Sequence, residues 1–198
     1  MKNADLLLYA VHVAFWASFG LTRMFLRDKT APADAQAPAT SSEYTAPFSR
    51  TVLGLHMLGF GVLYFGIGNA VIPRRVPYWF PGQRVAGTVV IALGAFFMSW
   101  AVASFHSWRF RAKLDQGHQL ATNGAFGLVR HPIYFGLTLL ALGSAVWAPT
   151  VIVWIGFALI AVGSELRARS EEALLRRAFG DAYVEYTKRT KRFIPGIY

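Results

Sequence analysis

The chain has 198 residues, 55% of them hydrophobic and 15% charged, and its 20 Lys and Arg against 10 Asp and Glu give a net charge of +10. So little polar surface cannot clothe a water-soluble domain of this size, which excludes an ordinary soluble globule and calls for an apolar solvent. In a soluble chain the charge would suggest nucleic acid, but here basic residues flank uncharged runs near the roughly 20 residues that cross a bilayer. Their role is to set orientation and meet anionic headgroups, and no nucleic-acid partner is expected. The absence of cysteine excludes disulfides, thiolate metal sites and a cysteine nucleophile.

The first span reads from Asp5 to Thr22, follows Lys2, and lacks a small-residue cleavage site, so it is read as retained. Residues 28–47, rich in Ala, Pro, Ser and Thr and without periodicity, read as a mobile cytoplasmic loop. The second and third spans run from Thr51 to Ile72 and from Val85 to Phe105, and residues 106–131 follow as a polar loop. From Pro132 to Ser164 no residue is charged, but Pro149 interrupts the run, lacking an amide donor and disfavouring helix in its predecessor. The stretch therefore predicts two short spans, Pro132 to Trp147 and Thr150 to Ser164, in a tight hairpin. Residues 165–198 close the chain as a cytoplasmic helix and tail. Glu165 to Arg192 reads as amphipathic, with Leu175, Phe179, Tyr183 and Tyr186 on one face, packed on the bundle or lying along the membrane.

The pattern predicts a single all-α membrane domain over residues 1–198 with about five transmembrane helices. Five spans put the termini on opposite sides. Lys2, Arg74, Arg75 and Arg84 share one side and the other sixteen of the 20 basic residues share the other, so the amino terminus is expected outside and the carboxyl terminus in the cytoplasm. Glycines recur every seven residues at Gly54, Gly61 and Gly68, at Gly87 and Gly94, at Gly136 and Gly143, and at Gly156 and Gly163. Such stripes let helix backbones approach closely in lipid and predict a compact bundle. Gly59 and Gly61 do not make a dinucleotide loop, because no strand precedes them and no acidic residue follows at the expected distance.

The chemistry concentrates in two blocks. Gly117-His118-Gln119-Leu120-Ala121-Thr122-Asn123-Gly124-Ala125-Phe126 leads to Arg130-His131-Pro132-Ile133-Tyr134-Phe135-Gly136, a polar loop closing on a helix whose first residue is Pro132. Free amides at that helix start suit an anion such as a carboxylate. The second block is Arg167-Ala168-Arg169-Ser170-Glu171-Glu172, then Leu175, Phe179-Gly180, Tyr183, Tyr186 and Phe193-Ile194-Pro195. Arg167 and Glu171, four apart, share a helix face; taken singly, Arg167 could merely snorkel and the pair could be an ordinary surface ion pair.

Together the blocks resemble the signature of the isoprenylcysteine carboxyl methyltransferase and phospholipid methyltransferase superfamily: a His-x-Leu-x-Thr-x-Gly stretch, then Arg-His-Pro-x-Tyr-x-Gly, then Glu-Glu followed by Leu, Phe-Gly and paired tyrosines. The resemblance covers about two fifths of the chain, from Gly117 to Pro195. It implies S-adenosylmethionine as cofactor, bound at the cytoplasmic side, with a lipophilic methyl acceptor entering from the bilayer. By that likeness His118, Gln119, Leu120, Ala121, Phe126, His131, Pro132, Ile133, Tyr134 and Glu171 line the cofactor site and Arg167 faces the acceptor. Ala125-Phe126 stands where Pro followed by Tyr is usual, which removes a hydroxyl and leaves a stacking role for Phe126.

A sulfonium carries its own activation, so the protein must mainly align methyl carbon and nucleophile and exclude water. Glu171 can hold the cofactor's ammonium while Arg167 orients an already ionised acceptor carboxylate. An amine acceptor, as in N-methylation of a phospholipid headgroup, would instead need to lose a proton, with His131 the nearest base by sequence. A non-catalytic membrane binding protein on the same fold is the alternative from another class. His12 and His56 lie within spans, about 10 Å apart in depth from opposite faces, which argues against a shared haem and for bonds between helices. His106 and His118 have no metal-ligand spacing, and no metal site is expected.

Overall fold

The computed structural model describes residues 3–26, 44–45, 49–73, 76–104, 113–114 and 120–198. Seven helices are present among these: α1 (Asn3–Leu26), α2 (Ser49–Val71), α3 (Gln83–Ser104), the single turn α4 (Ala125–Leu128), α5 (Pro132–Trp147), α6 (Val151–Phe179) and α7 (Asp181–Arg189). Four of them, α1, α2, α3 and α6, are long and apolar enough to cross a bilayer; α5 is apolar but has only 16 residues. At about 1.5 Å per residue α5 spans about 24 Å, short of the roughly 30 Å hydrocarbon core. Large apolar side chains such as Val13, Phe25, Phe65, Phe96 and Val162 face outward, as lipid contact demands and water would not tolerate. The chain is an all-α, multi-pass membrane protein.

The helices close into a ring. α1 packs on α3, α3 on α5, α5 on α6 and α6 on α2. Trp16 of α1 completes the circuit, edge-on to Phe60 of α2 at 5.7 Å and donating to the Tyr64 hydroxyl at 2.6 Å. The hairpin forms as the Pro149 argument predicts: α5 stops at Trp147, and the Thr150 side chain caps α6 by accepting from the Val153 amide at 3.4 Å.

The α3–α5 seam shows why glycine recurs every two turns. A Cβ on Gly87 would stand 2.6 Å from the Gly143 carbonyl oxygen, and one on Gly94 2.7 Å from that of Gly136, so the two backbones touch directly. Gly156 of α6 likewise faces the Leu63 backbone, where a Cβ would meet Cα at 2.7 Å. On α2 the expected stripe is wrong in register. A Cβ on Gly54 or Gly61 meets nothing within 4 Å and one on Gly68 reaches only its own helix, whereas Gly59 and Gly66 carry the contact with α6. Period identifies a stripe but not the direction in which it points.

The region beyond the last span also differs from expectation. No separate amphipathic helix begins at Glu165; α6 runs on unbroken to Phe179, 29 residues or about 43 Å, and so extends past the hydrocarbon core. The break falls at Gly180, whose φ of 50° is the left-handed region that glycine enters freely, and α7 starts there in a new direction. Tyr183 and Tyr186 of α7 are buried, so this helix packs on the bundle. Most of the loop 28–47 lies outside the described residues, but within it Tyr44–Thr45 (β1) pairs antiparallel with Lys113–Leu114 (β2). The pairing places the α1–α2 and α3–α4 loops at one end of the ring, the end that also holds the start of α5.

Candidate active site

The charged and aromatic residues of the two motifs meet where α5 begins and α6 leaves the bundle. The chain before α5 is fixed by backbone bonds to the carboxyl-terminal segment: the Arg130 amide donates to the Lys191 carbonyl at 2.7 Å and the His131 amide to the Arg192 carbonyl at 3.1 Å. His131 is therefore held at the helix start, buried, its ring stacked on Tyr134 at 5.8 Å and 6.0 Å from that of Phe193.

Two adjacent carboxylates on α6 face this corner with different partners. Glu172 accepts from Arg130 Nε at 2.9 Å and from both ends of the Arg192 fork, Nε at 3.0 Å and Nη2 at 2.8 Å. Arg130 also donates to the Thr190 carbonyl, while Arg192 Nη1 reaches Glu165 at 2.7 Å and the Tyr198 hydroxyl at 2.8 Å. Those bonds to Glu172 raise the Arg192 pKa above its ordinary value, against the opposing pull of burial. Glu172 is thus consumed in a structural knot.

Glu171, one residue earlier, points about 100° away around the helix. It accepts from the Tyr134 hydroxyl, lies 3.9 Å from Arg167 and 3.7 Å from His131 Nδ1, and remains partly exposed. Arg167 also sits over the Tyr134 ring at 5.2 Å, a cation–π placement. His131 Nε2 comes within 3.3 Å of Glu172, so the buried ring stands between the two carboxylates. Behind Tyr134, toward the membrane interior, the buried His56 ring stands 6.1 Å away and approaches Ser164 at 3.4 Å.

Of the sequence-predicted site residues, the structure brings together His131, Tyr134, Arg167 and Glu171, with Pro132 and Ile133 buried beside them at the α5 start. Phe126 lies in the neighbouring turn α4, half-buried, its carbonyl accepting from the Tyr186 hydroxyl at 2.6 Å. Burial pushes the Tyr183 and Tyr186 hydroxyls well above the ordinary range, so both stay neutral; Tyr186 donates while Tyr183 serves in packing. Leu120 and Ala121 are described and half-buried, whereas His118 and Gln119, together with His106, fall outside the described residues. His12 bonds to Ser144, ten residues along α5 from Tyr134, so it and His56 share no partner and stand about 15 Å apart along that helix. Among the described residues no cluster of His, Asp and Glu is arranged to hold a metal ion.

The sequence reading missed Arg192 and Tyr198, whose importance comes only from the fold-back of residues 190–198 onto α6. The signal available was indirect: Lys191-Arg192 directly precedes the Phe193-Ile194-Pro195 motif.

The donor set suits S-adenosylmethionine. A partly exposed carboxylate not tied into the knot, a buried imidazole beside it, the α5 start without a side-chain cap, and the Tyr134 and Phe126 rings together match an ammonium, a carboxylate and flat cationic or adenine surfaces.

Comparison with known proteins points to a family of methyltransferases. The profile of the phospholipid methyltransferase family matches residues 83–182, from the first residue of α3 into α7. A probable protein-S-isoprenylcysteine O-methyltransferase of Oryza sativa subsp. indica is 28% identical over 131 residues, 64% of this chain and 68% of the relative. The protein-S-isoprenylcysteine O-methyltransferase of Schizosaccharomyces pombe is 32% identical over 117 residues, 59% of this chain and 46% of that protein. The corresponding protein B of Arabidopsis thaliana is 29% identical over 118 residues, 59% of this chain, and the match covers 55% of it. With half of its length, and every described member of the Tyr134–Arg167–Glu171 cluster, inside the matched stretch, the chain belongs to the phospholipid methyltransferase family and is a methyltransferase.

Proposed function

We propose that this protein transfers the methyl group of S-adenosylmethionine to the carboxylate of a lipophilic acceptor, an S-prenylated cysteine or a similar amphiphile, at the cytoplasmic end of the bundle. The observation that carries the reading is the division of labour on α6: Glu172 is spent on Arg130 and Arg192, whereas Glu171 and Arg167 converge on Tyr134. A carboxylate and a guanidinium side by side provide one anchor for a cationic cofactor group and one for an anionic acceptor. The relatives are named as isoprenylcysteine O-methyltransferases, which favours oxygen as the methylated atom.

The cofactor supplies an electrophilic methyl on a sulfonium, and the protein supplies alignment. Glu171, held by the Tyr134 hydroxyl, receives the ammonium; the α5 start and His131 lie where a carboxylate can be bound; Phe126 offers a ring face. Arg167 holds the acceptor carboxylate, ionised at neutral pH, so no proton need be removed. The apolar side chains facing lipid around the bundle suit an acceptor that arrives through the bilayer, and exclusion of water from the reacting atoms would aid the transfer. The Lys and Arg distribution supports the cytoplasmic assignment for this end.

N-methylation of an amine-bearing phospholipid is the second reading, favoured by the family's description and by His131 standing between two carboxylates, where it could take a proton. Purified protein incubated with methyl-labelled S-adenosylmethionine and either a short S-prenylated cysteine or vesicles of aminophospholipid separates the two. The expected product is a prenylcysteine methyl ester whose label is released by mild alkali. Alkali-stable label in the phospholipid alone would establish the second reading instead.

A further inference from the structure

We infer that Arg192 is a positioning residue for the methyl-transfer site, acting through Glu172 and the backbone around His131; the reaction it serves is the one proposed above. The site's two halves come from different helices. His131 and Tyr134 belong to the start of α5, while Arg167 and Glu171 belong to α6; the chain itself connects these helices at Trp147 and Val151, far from the site. At the site end the direct contacts are side chain to side chain, Tyr134 to Glu171 and Arg167 over Tyr134, and a second link holds the backbone of the α5 start to α6.

Residues 190–192 provide that link twice over. Their backbone runs alongside residues 129–131, with Val129 bridging Lys191 in parallel and the Lys191 and Arg192 carbonyls accepting the Arg130 and His131 amides. The Arg192 side chain then turns to α6 and grips both oxygens of Glu172 while its third nitrogen takes Glu165, two turns earlier. Arg192 therefore bonds the α5 start through its main chain and α6 through its side chain, where it shares Glu172 with Arg130. Tyr198 secures the fold-back: its carbonyl accepts from the Phe193 and Ile194 amides, both at 2.7 Å, and its hydroxyl donates to Glu165 at 2.9 Å. Arg192 lies outside the stretch matched by the family profile, which ends at residue 182.

The geometry required is a planar fork. A lysine keeps the charge but, as a point donor, cannot hold two oxygens of Glu172 and one of Glu165 together. Loss of that grip frees the strap, and the distance between Glu171 and the His131–Tyr134 pair is no longer fixed. Misplacement of reacting groups by about 1 Å can cost roughly a hundredfold in rate.

Arg192→Lys tests this in three measurements on the full-length protein in lipid nanodiscs. Hydrogen exchange should quicken in peptides covering 129–135 and 190–198 while those of α3 and the α5–α6 hairpin stay protected. Calorimetric affinity for S-adenosylmethionine should fall several-fold, and kcat on an S-prenylated cysteine should drop at least tenfold with the acceptor KM within about twofold. Arg169→Lys, which alters an exposed partner of the same Glu165, should change none of these. Faster exchange throughout the bundle would mean a general structural role and overturn the proposal, as would local loosening with cofactor affinity and kcat intact. Should the wild type methylate neither acceptor, the proposed reaction falls, and the exchange and affinity measurements still decide the role of Arg192.

Discussion

The α3–α5 seam and the corner where α5 meets α6 are both close helix contacts, yet they are held by opposite means. In the seam, Gly87 and Gly94 meet Gly143 and Gly136 backbone to backbone, and no side chain intervenes. At the corner, Arg130, Arg192, Glu165 and Glu172 form a network that reaches across from the carboxyl-terminal tail. The seam lies in the apolar interior, where hydrophobic association offers little and only close packing binds helices. The corner lies where α6 has run past the hydrocarbon, and there charged side chains can be met by water as well as by one another. Rigidity is thus built into the membrane part, while Tyr134, Arg167 and Glu171 sit beside a charge-tied junction.

Glu172→Ala should have the largest effect on this contrast. It strips the shared partner from two largely buried guanidiniums, and removing one member of a buried ion pair costs about 3–5 kcal/mol. Local loss of the fold-back, read as rapid proteolysis or exchange of residues 190–198 with the bundle intact, is the expected outcome; an intact tail would show the network to be dispensable.

Glu171→Gln should leave the tail in place and act on ligand binding. A lost charge-assisted bond costs about 1.5–3 kcal/mol, or roughly tenfold to a hundredfold in S-adenosylmethionine affinity by calorimetry. Equal loss of tail protection in this variant would erase the distinction between the two carboxylates.

Gly87→Ala probes the seam. The added methyl would press on the Gly143 carbonyl and the Trp147 backbone, an overpacking cost of about 1–3 kcal/mol, read as a lower unfolding midpoint in detergent. Gly61→Ala, on the open face of α2, should be neutral or slightly stabilising, by at most about 1 kcal/mol. Equal destabilisation by both would mean that α2 has a packing partner on that face.

What could be read from sequence follows the same division. Span limits were legible because hydropathy and Pro149 act locally, and α5 ends at Trp147 where that proline requires. The glycine period was legible but its direction on α2 was not, since Gly59 and Gly66 carry the same seven-residue interval as Gly61 and Gly68. The charged run from Glu165 looked like a new element because α6 changes solvent there without changing conformation. Arg167, Glu171, His131 and Tyr134 were found through the motifs in which they stand. The separate fates of Glu171 and Glu172 depend on a rotation of about 100° and on a partner 20 residues away, Arg192, which only the folded tail brings near.

The central claim, that α6 presents one residue to the cofactor and another to an acceptor carboxylate, is tested most directly by Arg167→Lys with turnover and cofactor affinity measured on the same preparation. Lysine keeps the charge at the membrane edge but not the planar fork that orients a carboxylate. Methyl transfer to an S-prenylated cysteine should fall at least roughly tenfold, about 1.4 kcal/mol in transition-state stabilisation, with S-adenosylmethionine affinity nearly unchanged. Full turnover would reduce Arg167 to a headgroup contact, and a parallel loss of cofactor affinity would mean that Arg167 and Glu171 act as one clamp, contradicting the separation of roles.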